Sequence, residues 1–177
     1  MHVSFLSRTS AEMAKPGADH HLISISDGTD DKAIIDESRW ASVSYHHFID
    51  AGFDEDTLLM FIGDGCEFET RFRDYFLEDR AQAMRQRIAE IVKKREAIVV
   101  NCQAGRSRSA AVAKFIASHY GYILEQPTPD ANMCVYRMLA KDGLLLSAYA
   151  HATAQRHEAH QDTEHSFIVA LKRLLGL

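Results

Sequence analysis

The residues best suited to chemistry lie within one short stretch, Ala97 to Tyr120. Cys102 and Arg108 are separated by five residues, and Ser109 follows directly. If the intervening residues fold into a loop, their backbone amides can point inward and form a concave phosphate site at the start of a helix. The same positive helix end lowers the pKa of a thiol, so we expect Cys102 to be a thiolate at neutral pH.

Arg108 and Ser109 extend this arrangement. An arginine binds two phosphate oxygens at once through its planar guanidinium, which lysine does not do equally well. The Ser109 hydroxyl can donate a hydrogen bond to the cysteine sulfur. The alternative interpretation is an inert buried thiol, the usual state of a free cysteine. The presence of Arg106 and Arg108 beside Cys102 argues against it.

The elements around these residues are predicted to be a strand and two helices. Ala97–Val100 is a β-branched run of strand length. Ala110–Tyr120 is apolar nearly all round, with Lys114 as its only charge, which is typical of a buried helix. A preceding helix is predicted over Asp74–Arg95. Its apolar stripe consists of Leu77, Ala81, Met84, Ile88 and Ile91. Helix, strand, loop and helix would form one α/β unit.

The sequence NCQAGRSRSAAVA at 101–113 resembles the signature loop of the cysteine-dependent protein phosphatases, the protein tyrosine and dual-specificity group. That pattern is His-Cys, five residues, Arg, then Ser or Thr. The resemblance implies a cysteine nucleophile at Cys102 and a catalytic pair at Arg108 and Ser109. It differs at Asn101, where the family has a histidine that helps to keep the thiol ionised. The implied phosphate-binding residues are Gln103, Ala104, Gly105, Arg106, Ser107 and Arg108.

The resemblance also implies a fold. It predicts an α/β protein with a central mixed sheet of about four to five strands flanked by helices. We expect a single phosphatase-like domain over residues 1–177, with a core at about 20–145 and C-terminal helices at 144–177. The helical segment after the signature is similar to that of bacterial and phage-like members.

A general acid is implied by a second resemblance. In the tyrosine phosphatases an aromatic residue, a proline, an aspartate, any residue and a glycine follow a strand. Here Val43–Phe48 is a predicted strand, and Phe48, Asp50 and Gly52 match that loop, with Ile49 at the proline place. Asp50 is therefore the implied donor of a proton to the leaving group.

Other carboxylates nearby remain alternatives to Asp50. They are Asp54, Asp56 and Asp64. The spacing found in compact dual-specificity enzymes would favour Asp64, whereas the flanking residues favour Asp50. A metal site at His46 and His47 is not expected, because adjacent residues of a strand point to opposite faces.

The remaining elements are predicted from local patterns. His2–Leu6 and Leu22–Ser26 are predicted strands, and Arg8–Asp19 is predicted to be a loop. Asp27 and Gly28 are expected to end the second strand in a turn. Asp130 is predicted to cap a helix that runs to about Lys141, and a last helix is predicted over Ser166–Leu175.

Composition narrows the class of protein. The chain has 177 residues, 46% of them hydrophobic, enough for one ordinary domain core. A formal net charge of -5 argues against general nucleic-acid binding, and no apolar run is long enough to span a bilayer. The three unpatterned cysteines favour a reducing cytoplasmic location. No membrane partner, metal or organic cofactor is expected, and the sequence does not define an oligomeric state.

The residues and the resemblance together imply a phosphomonoester hydrolase that works through a cysteinyl-phosphate. The expected partners are phosphotyrosine or dual-specificity protein substrates, or a small phosphomonoester. The alternative is a catalytically weak or inactive phosphate-binding module of the same fold. Sulfur transfer is a further alternative, although sulfurtransferase loops usually lack the ending seen at Arg108 and Ser109.

Overall fold

The computed structural model describes residues 1–62 and 68–153, which form parts of two compact units. The first unit combines Met1–Gly52 with Asp74–Asp142, and the second combines Phe53–Arg73 with Gly143–Leu177. The sheet and all the residues of the predicted site belong to the first unit. The expectation of a single phosphatase-like domain over residues 1–177 stays a prediction.

The first unit contains a five-stranded sheet. Its strands are β1 (His2–Ser7), β2 (His20–Ser26), β3 (Ser42–His47), β4 (Ala97–Cys102) and β5 (Ile123–Leu124). Their order across the sheet is β3-β2-β4-β1-β5. The predicted α/β class and strand number are confirmed. The expected mixed character is corrected, because all four pairings among the described strands are parallel.

Helices lie between these strands along the chain and after the last of them. Those of the first unit are α1 (Arg8–Met13), α4 (Glu78–Val92), α5 (Arg108–Tyr120) and α6 (Met133–Leu139). Those of the second unit are α2 (Glu55–Ile62) and α3 (Phe68–Phe72), and residues 143–153 are also helical. Two short 3-10 helices lie at Thr29–Asp31 and Glu37–Arg39. No helix within residues 1–62 and 68–153 combines the length and apolar content of a bilayer span.

The parallel sheet places the ends of several strands together. In such a sheet the carboxyl ends of all strands meet at one edge. Cys102 ends β4, and its register partner Ser7 ends β1. Ser26 ends β2 on the other side of β4. The residues that follow β1, β2, β3 and β4 therefore converge at this edge, where open α/β sheets commonly bind ligands.

Burial of its side chains in the core fixes α5 at this edge of the sheet. Eight of its residues are buried, including the whole run Arg108–Ala113. The apolar sequence predicted a buried helix from Ala110, and the helix begins two residues earlier, at Arg108. On α4 the buried residues are Ala81, Met84, Ile88 and Ile91, four of the five predicted for its stripe. Trp40 is buried and packs with Leu22 and Val99, so it is a core residue.

Two local predictions are wrong. Arg8–Asp19 is not a loop throughout, because α1 begins at Arg8. The Ser7 hydroxyl accepts a hydrogen bond from the Ser10 amide and caps that helix. The last helix of the first unit is capped by Asn132, whose side chain accepts from the Val135 amide, and not by Asp130. The helix predicted over Ser166–Leu175 lies outside the described residues.

Candidate functional site

Cys102 lies at the carboxyl end of β4 with 1% of its surface exposed. Its Sγ lies 3.2 Å from the Ser109 hydroxyl, and the backbone amides of Ser109, Gly105 and Arg106 also hydrogen-bond to it. Burial raises the pKa of this thiol, but the four hydrogen bonds outweigh burial and hold the pKa below its ordinary value. The arrangement favours a thiolate, as the sequence predicts.

The loop from Cys102 to Arg108, hereafter the Cys102 loop, depends on Gly105. This residue has φ +67°, a left-handed conformation that side chains disfavour. A Cβ at this position would lie 2.2 Å from the Ser7 backbone nitrogen. Glycine therefore allows the loop to approach β1 closely while its amide turns towards Cys102. On the same side, the Arg8 amide donates to the Gln103 carbonyl at 3.3 Å.

Arg108 is the first residue of α5 and is 2% exposed. Its Nη1 donates to the Phe48 carbonyl and lies against the Asp27 carboxylate, each at 2.5 Å. Its Nε is buried and has no hydrogen-bond partner within the described part of the chain. A buried donor without a partner is costly, and a phosphate oxygen would satisfy it.

Asp27 is a site residue that sequence reasoning missed. The sequence predicts it only as a turn residue at the end of β2. The strand order places the end of β2 beside the end of β4, which brings the Asp27 carboxylate to Arg108. No local pattern reveals this contact, because 80 residues lie between Asp27 and Arg108 along the chain. The sequence signal that could have identified Asp27 is its position directly after the predicted strand Leu22–Ser26.

Asp50 is brought to the Cys102 loop. Its Oδ1 accepts hydrogen bonds from the Ser107 hydroxyl at 2.7 Å and from the side-chain amide nitrogen of Asn132 at 3.0 Å. Both donors use the same oxygen, and no residue of the described chain donates to Oδ2. The structure thus brings Asp50 together with the loop that carries Cys102 and Arg108.

An open cavity of about 510 Å³ lies at this place. Its side chains are mostly polar and come from the Asp50 segment, the Cys102 loop and the approach to α6. The polar lining residues are Asp50, Arg106, Ser107, Asp130 and Asn132. A cavity bounded by carboxylates, an arginine and an amide suits a polar or charged group.

Asn101 directly precedes Cys102 in the chain and is 1% exposed. Neither of its side-chain polar atoms has a hydrogen-bond partner among the described residues. It is paired in register with Leu6 on β1 and Ser24 on β2. The lowered pKa of Cys102 therefore arises from Ser109 and the loop amides, without a contribution from the Asn101 side chain.

The other acidic candidates are placed differently. Asp54 accepts hydrogen bonds from the amide and hydroxyl of Thr57 at the start of α2 in the second unit. Asp56 lies in the first turn of the same helix. Asp64 lies outside the described residues. Within the described chain, no group of three or more histidine, cysteine, aspartate or glutamate side chains is arranged to hold a metal ion.

No protein-family model and no curated protein sequence matches the chain. Among solved structures, the chain is similar to a crystal structure of a variant of human DUSP28, a dual-specificity phosphatase. The identity is 13%, the match covers 87% of this chain and 90% of that chain, and the TM-score is 0.37. A similarity at this level supports no functional conclusion, so the site residues themselves carry the interpretation.

Proposed function

We propose that this protein is a phosphomonoester hydrolase that acts through a cysteinyl-phosphate intermediate. The observation that carries the proposal is the Cys102 thiol, whose pKa is held down by four hydrogen bonds at the N-terminus of α5. A thiolate inside a ring of amides is a nucleophile placed next to an oxyanion site.

The proposed reaction has two steps. In the first, Cys102 Sγ attacks phosphorus, the bond from phosphorus to the ester oxygen breaks, and Asp50 gives its proton to the departing oxygen. In the second, water attacks the phosphorus and passes a proton to Asp50. The sulfur–phosphorus bond then breaks and inorganic phosphate leaves. The Ser109 hydroxyl stabilises the thiolate that is released.

Arg108 and the loop amides have the binding role in this proposal. The loop amides between Gln103 and Arg108 that do not donate to the Cys102 sulfur would accommodate the phosphoryl oxygens, since backbone amides at a helix N-terminus favour bound anions. Arg108 Nη1 is held by Asp27 and Phe48, which leaves the buried Nε as a donor for a phosphoryl oxygen. Negative charge that develops in the transition state would be stabilised in the same place.

The substrates and surroundings are proposals of the same kind. Phosphotyrosine or dual-specificity protein substrates are proposed, and a small phosphomonoester would satisfy the same chemistry. No metal or organic cofactor enters the two steps. A thiolate nucleophile requires a reducing environment, which fits the predicted cytoplasmic location. An affiliation with bacterial or phage-like phosphatases stays a prediction.

The test is hydrolysis of p-nitrophenyl phosphate by the full chain, with Cys102→Ser as the variant and Cys134→Ser as the matched control. Cys134 is also buried but lies on α6, away from the Cys102 loop in the chain. We expect turnover by the wild type and the control, a phosphorylated protein trapped on acid quenching, and loss of both in Cys102→Ser. Equal activity of Cys102→Ser and wild type would refute the proposal.

The inactive phosphate-binding module is kept as a second candidate because the Asn101 side chain makes no hydrogen bond to any described residue. A histidine at that place helps to hold the loop in the family that the sequence resembles. Tungstate binding that depends on Arg108, without turnover of any aryl phosphate, would favour this module over the hydrolase.

A further inference from the structure

Four hydrogen bonds of the Asn132 backbone amide and side chain connect three parts of the candidate site. Its backbone amide donates to the Ser107 carbonyl at 3.2 Å. Its side-chain Nδ2 donates to Asp50 Oδ1 at 3.0 Å and to the Ala51 carbonyl at 3.2 Å. Its Oδ1 accepts from the Val135 amide at 3.1 Å and caps α6. One residue thus joins the acid segment, the Cys102 loop and a helix end.

The cap explains how Asn132 can position another residue. The Val135 amide fixes Oδ1, and because the side-chain amide is planar, Nδ2 is then directed to the opposite side. On that side, Nδ2 donates hydrogen bonds to the Asp50 carboxylate and to the Ala51 carbonyl. Asp50 lies in a segment with no helix or strand between β3 and α2, so its orientation needs support from such contacts.

The contacts on Asp50 also distinguish its two oxygens. Oδ1 accepts from Ser107 and from Asn132, whereas Oδ2 has no donor among the described residues. In a protonated carboxyl group, one oxygen accepts hydrogen bonds and the other carries the proton. Two donors on Oδ1 keep it in the acceptor role, so the proton resides on Oδ2.

We propose that Asn132 is the positioning residue of the general acid, holding Asp50 over the Cys102 loop with the proton on Oδ2. This inference rests on the proposed function, since it assumes that Asp50 protonates the leaving group. It assigns to Asn132 a role in the first chemical step that the N-cap alone would not require. The polar cavity that both residues line is then the place of the departing oxygen.

The test uses variants that preserve the cap of α6. Serine and aspartate are both good N-cap residues, so Asn132→Ser and Asn132→Asp retain an acceptor for the Val135 amide. Asn132→Ser removes the donor to Asp50. Asn132→Asp replaces the donor with a second carboxylate about 3 Å from Asp50 Oδ1, and such pairs share a proton over a wider pH range. Folding is checked by circular dichroism and by tungstate binding to the Cys102 loop.

The measurement is the rate for a series of aryl phosphates whose leaving groups differ in acidity, as a function of pH. For Asn132→Ser we expect kcat to fall by about tenfold to hundredfold with little change in KM, most for the least acidic leaving groups. For Asn132→Asp we expect the alkaline limb to move up by about one pH unit or more. A purely structural cap would leave both the leaving-group dependence and the alkaline limb unchanged.

Asp50→Asn separates failure of this inference from failure of the proposed function. If Asp50→Asn becomes strongly dependent on the leaving group while both Asn132 variants behave like wild type, the inference is overturned and the hydrolase stands. If Asp50→Asn itself behaves like wild type, the assignment of Asp50 as the acid fails, and the inference fails with it. If the wild type has no turnover, the proposed hydrolase function fails, and the inference fails with it.

Discussion

Removal of the Ser109 hydroxyl is the most direct test of how the pKa of Cys102 is lowered. Four donors reach the thiol sulfur: the Ser109 hydroxyl at 3.2 Å and the amides of Ser109, Gly105 and Arg106. When Cys102 is a thiolate, the hydroxyl can only donate. Ser109→Ala removes this donor and leaves the three amides and the burial unchanged.

The size of the effect follows from the kind of bond that is lost. A hydrogen bond to a charged group contributes about 1.5–3 kcal/mol, and each ~1.4 kcal/mol is tenfold in an equilibrium. We therefore expect the ratio of thiolate to thiol to fall by roughly tenfold to hundredfold at a given pH. Burial raises the pKa of Cys102. With one donor fewer, the pKa of Cys102 moves upward, and the acid limb of its reactivity moves to higher pH.

The assay is the rate of alkylation of Cys102 by iodoacetamide across pH, since it reports the thiolate directly and needs no turnover. Ser118→Ala is the matched control, because it makes the same substitution at an exposed position of the same helix. An alkylation profile for Ser109→Ala that coincides with those of the wild type and Ser118→Ala, in a folded protein, would refute the reasoning.

Three further predictions concern the Cys102 loop, Arg108 and the partly buried His46. Gly105→Ala should destabilise the fold by more than the ~1–2 kcal/mol of a left-handed side chain, because its Cβ also meets the β1 backbone. Gly121→Ala has a similar φ in open space and should show the conformational cost alone in chemical denaturation. Arg108→Lys should weaken tungstate binding at least about tenfold by calorimetry, and Asp27→Asn by less. Burial lowers the pKa of His46 to about 4. The free energy of unfolding should therefore fall by up to roughly 3 kcal/mol as pH drops from about 6.5 to about 4, and His46→Gln should flatten this dependence.

Each of these predictions has an outcome that contradicts it. Equal destabilisation by Gly105→Ala and Gly121→Ala would mean that the loop does not approach β1 as described. Unchanged tungstate affinity in Arg108→Lys would remove the arginine from the anion site. For His46, the sign follows because the folded protein holds the neutral form, while the unfolded chain takes up a proton below about pH 6.5. Parallel pH profiles for wild type and His46→Gln would contradict the burial argument.

The parts of the fold that sequence predicted best are those with strong local periodicity. The apolar stripe of α4 and the buried run of α5 appear where the spacing placed them. The predictions that were wrong concern the short helix α1, the cap of α6 and the direction of strands. Asp130 and Asn132 are both acceptable caps by type, and only packing selects Asn132. A continuous apolar run such as Ala97–Val100 indicates a buried strand, whereas the direction of each neighbouring strand depends on how the chain connects them.

The candidate site also has some features that follow from local sequence and others that depend on tertiary structure. The five-residue spacing of Cys102 and Arg108, and Ser109 directly after them, are local features, so the sequence alone determined the thiol, its hydroxyl partner and the amide loop between them. The need for a glycine in that loop is local as well, since few other residues adopt φ +67° at Gly105. The contact of Gly105 with β1, however, depends on the register of two strands far apart in the chain.

Only the tertiary structure decided the contacts between the ends of different strands and helices. The parallel order β3-β2-β4-β1-β5 sets the end of β2 beside that of β4, and thereby pairs Asp27 with Arg108. It also brings Asp50 to Ser107, where the N-cap Asn132 meets them. The sequence determined which groups could do chemistry, because residue type and local spacing can be read directly along the chain. Which groups meet depends on strand order and register, which long-range packing selects.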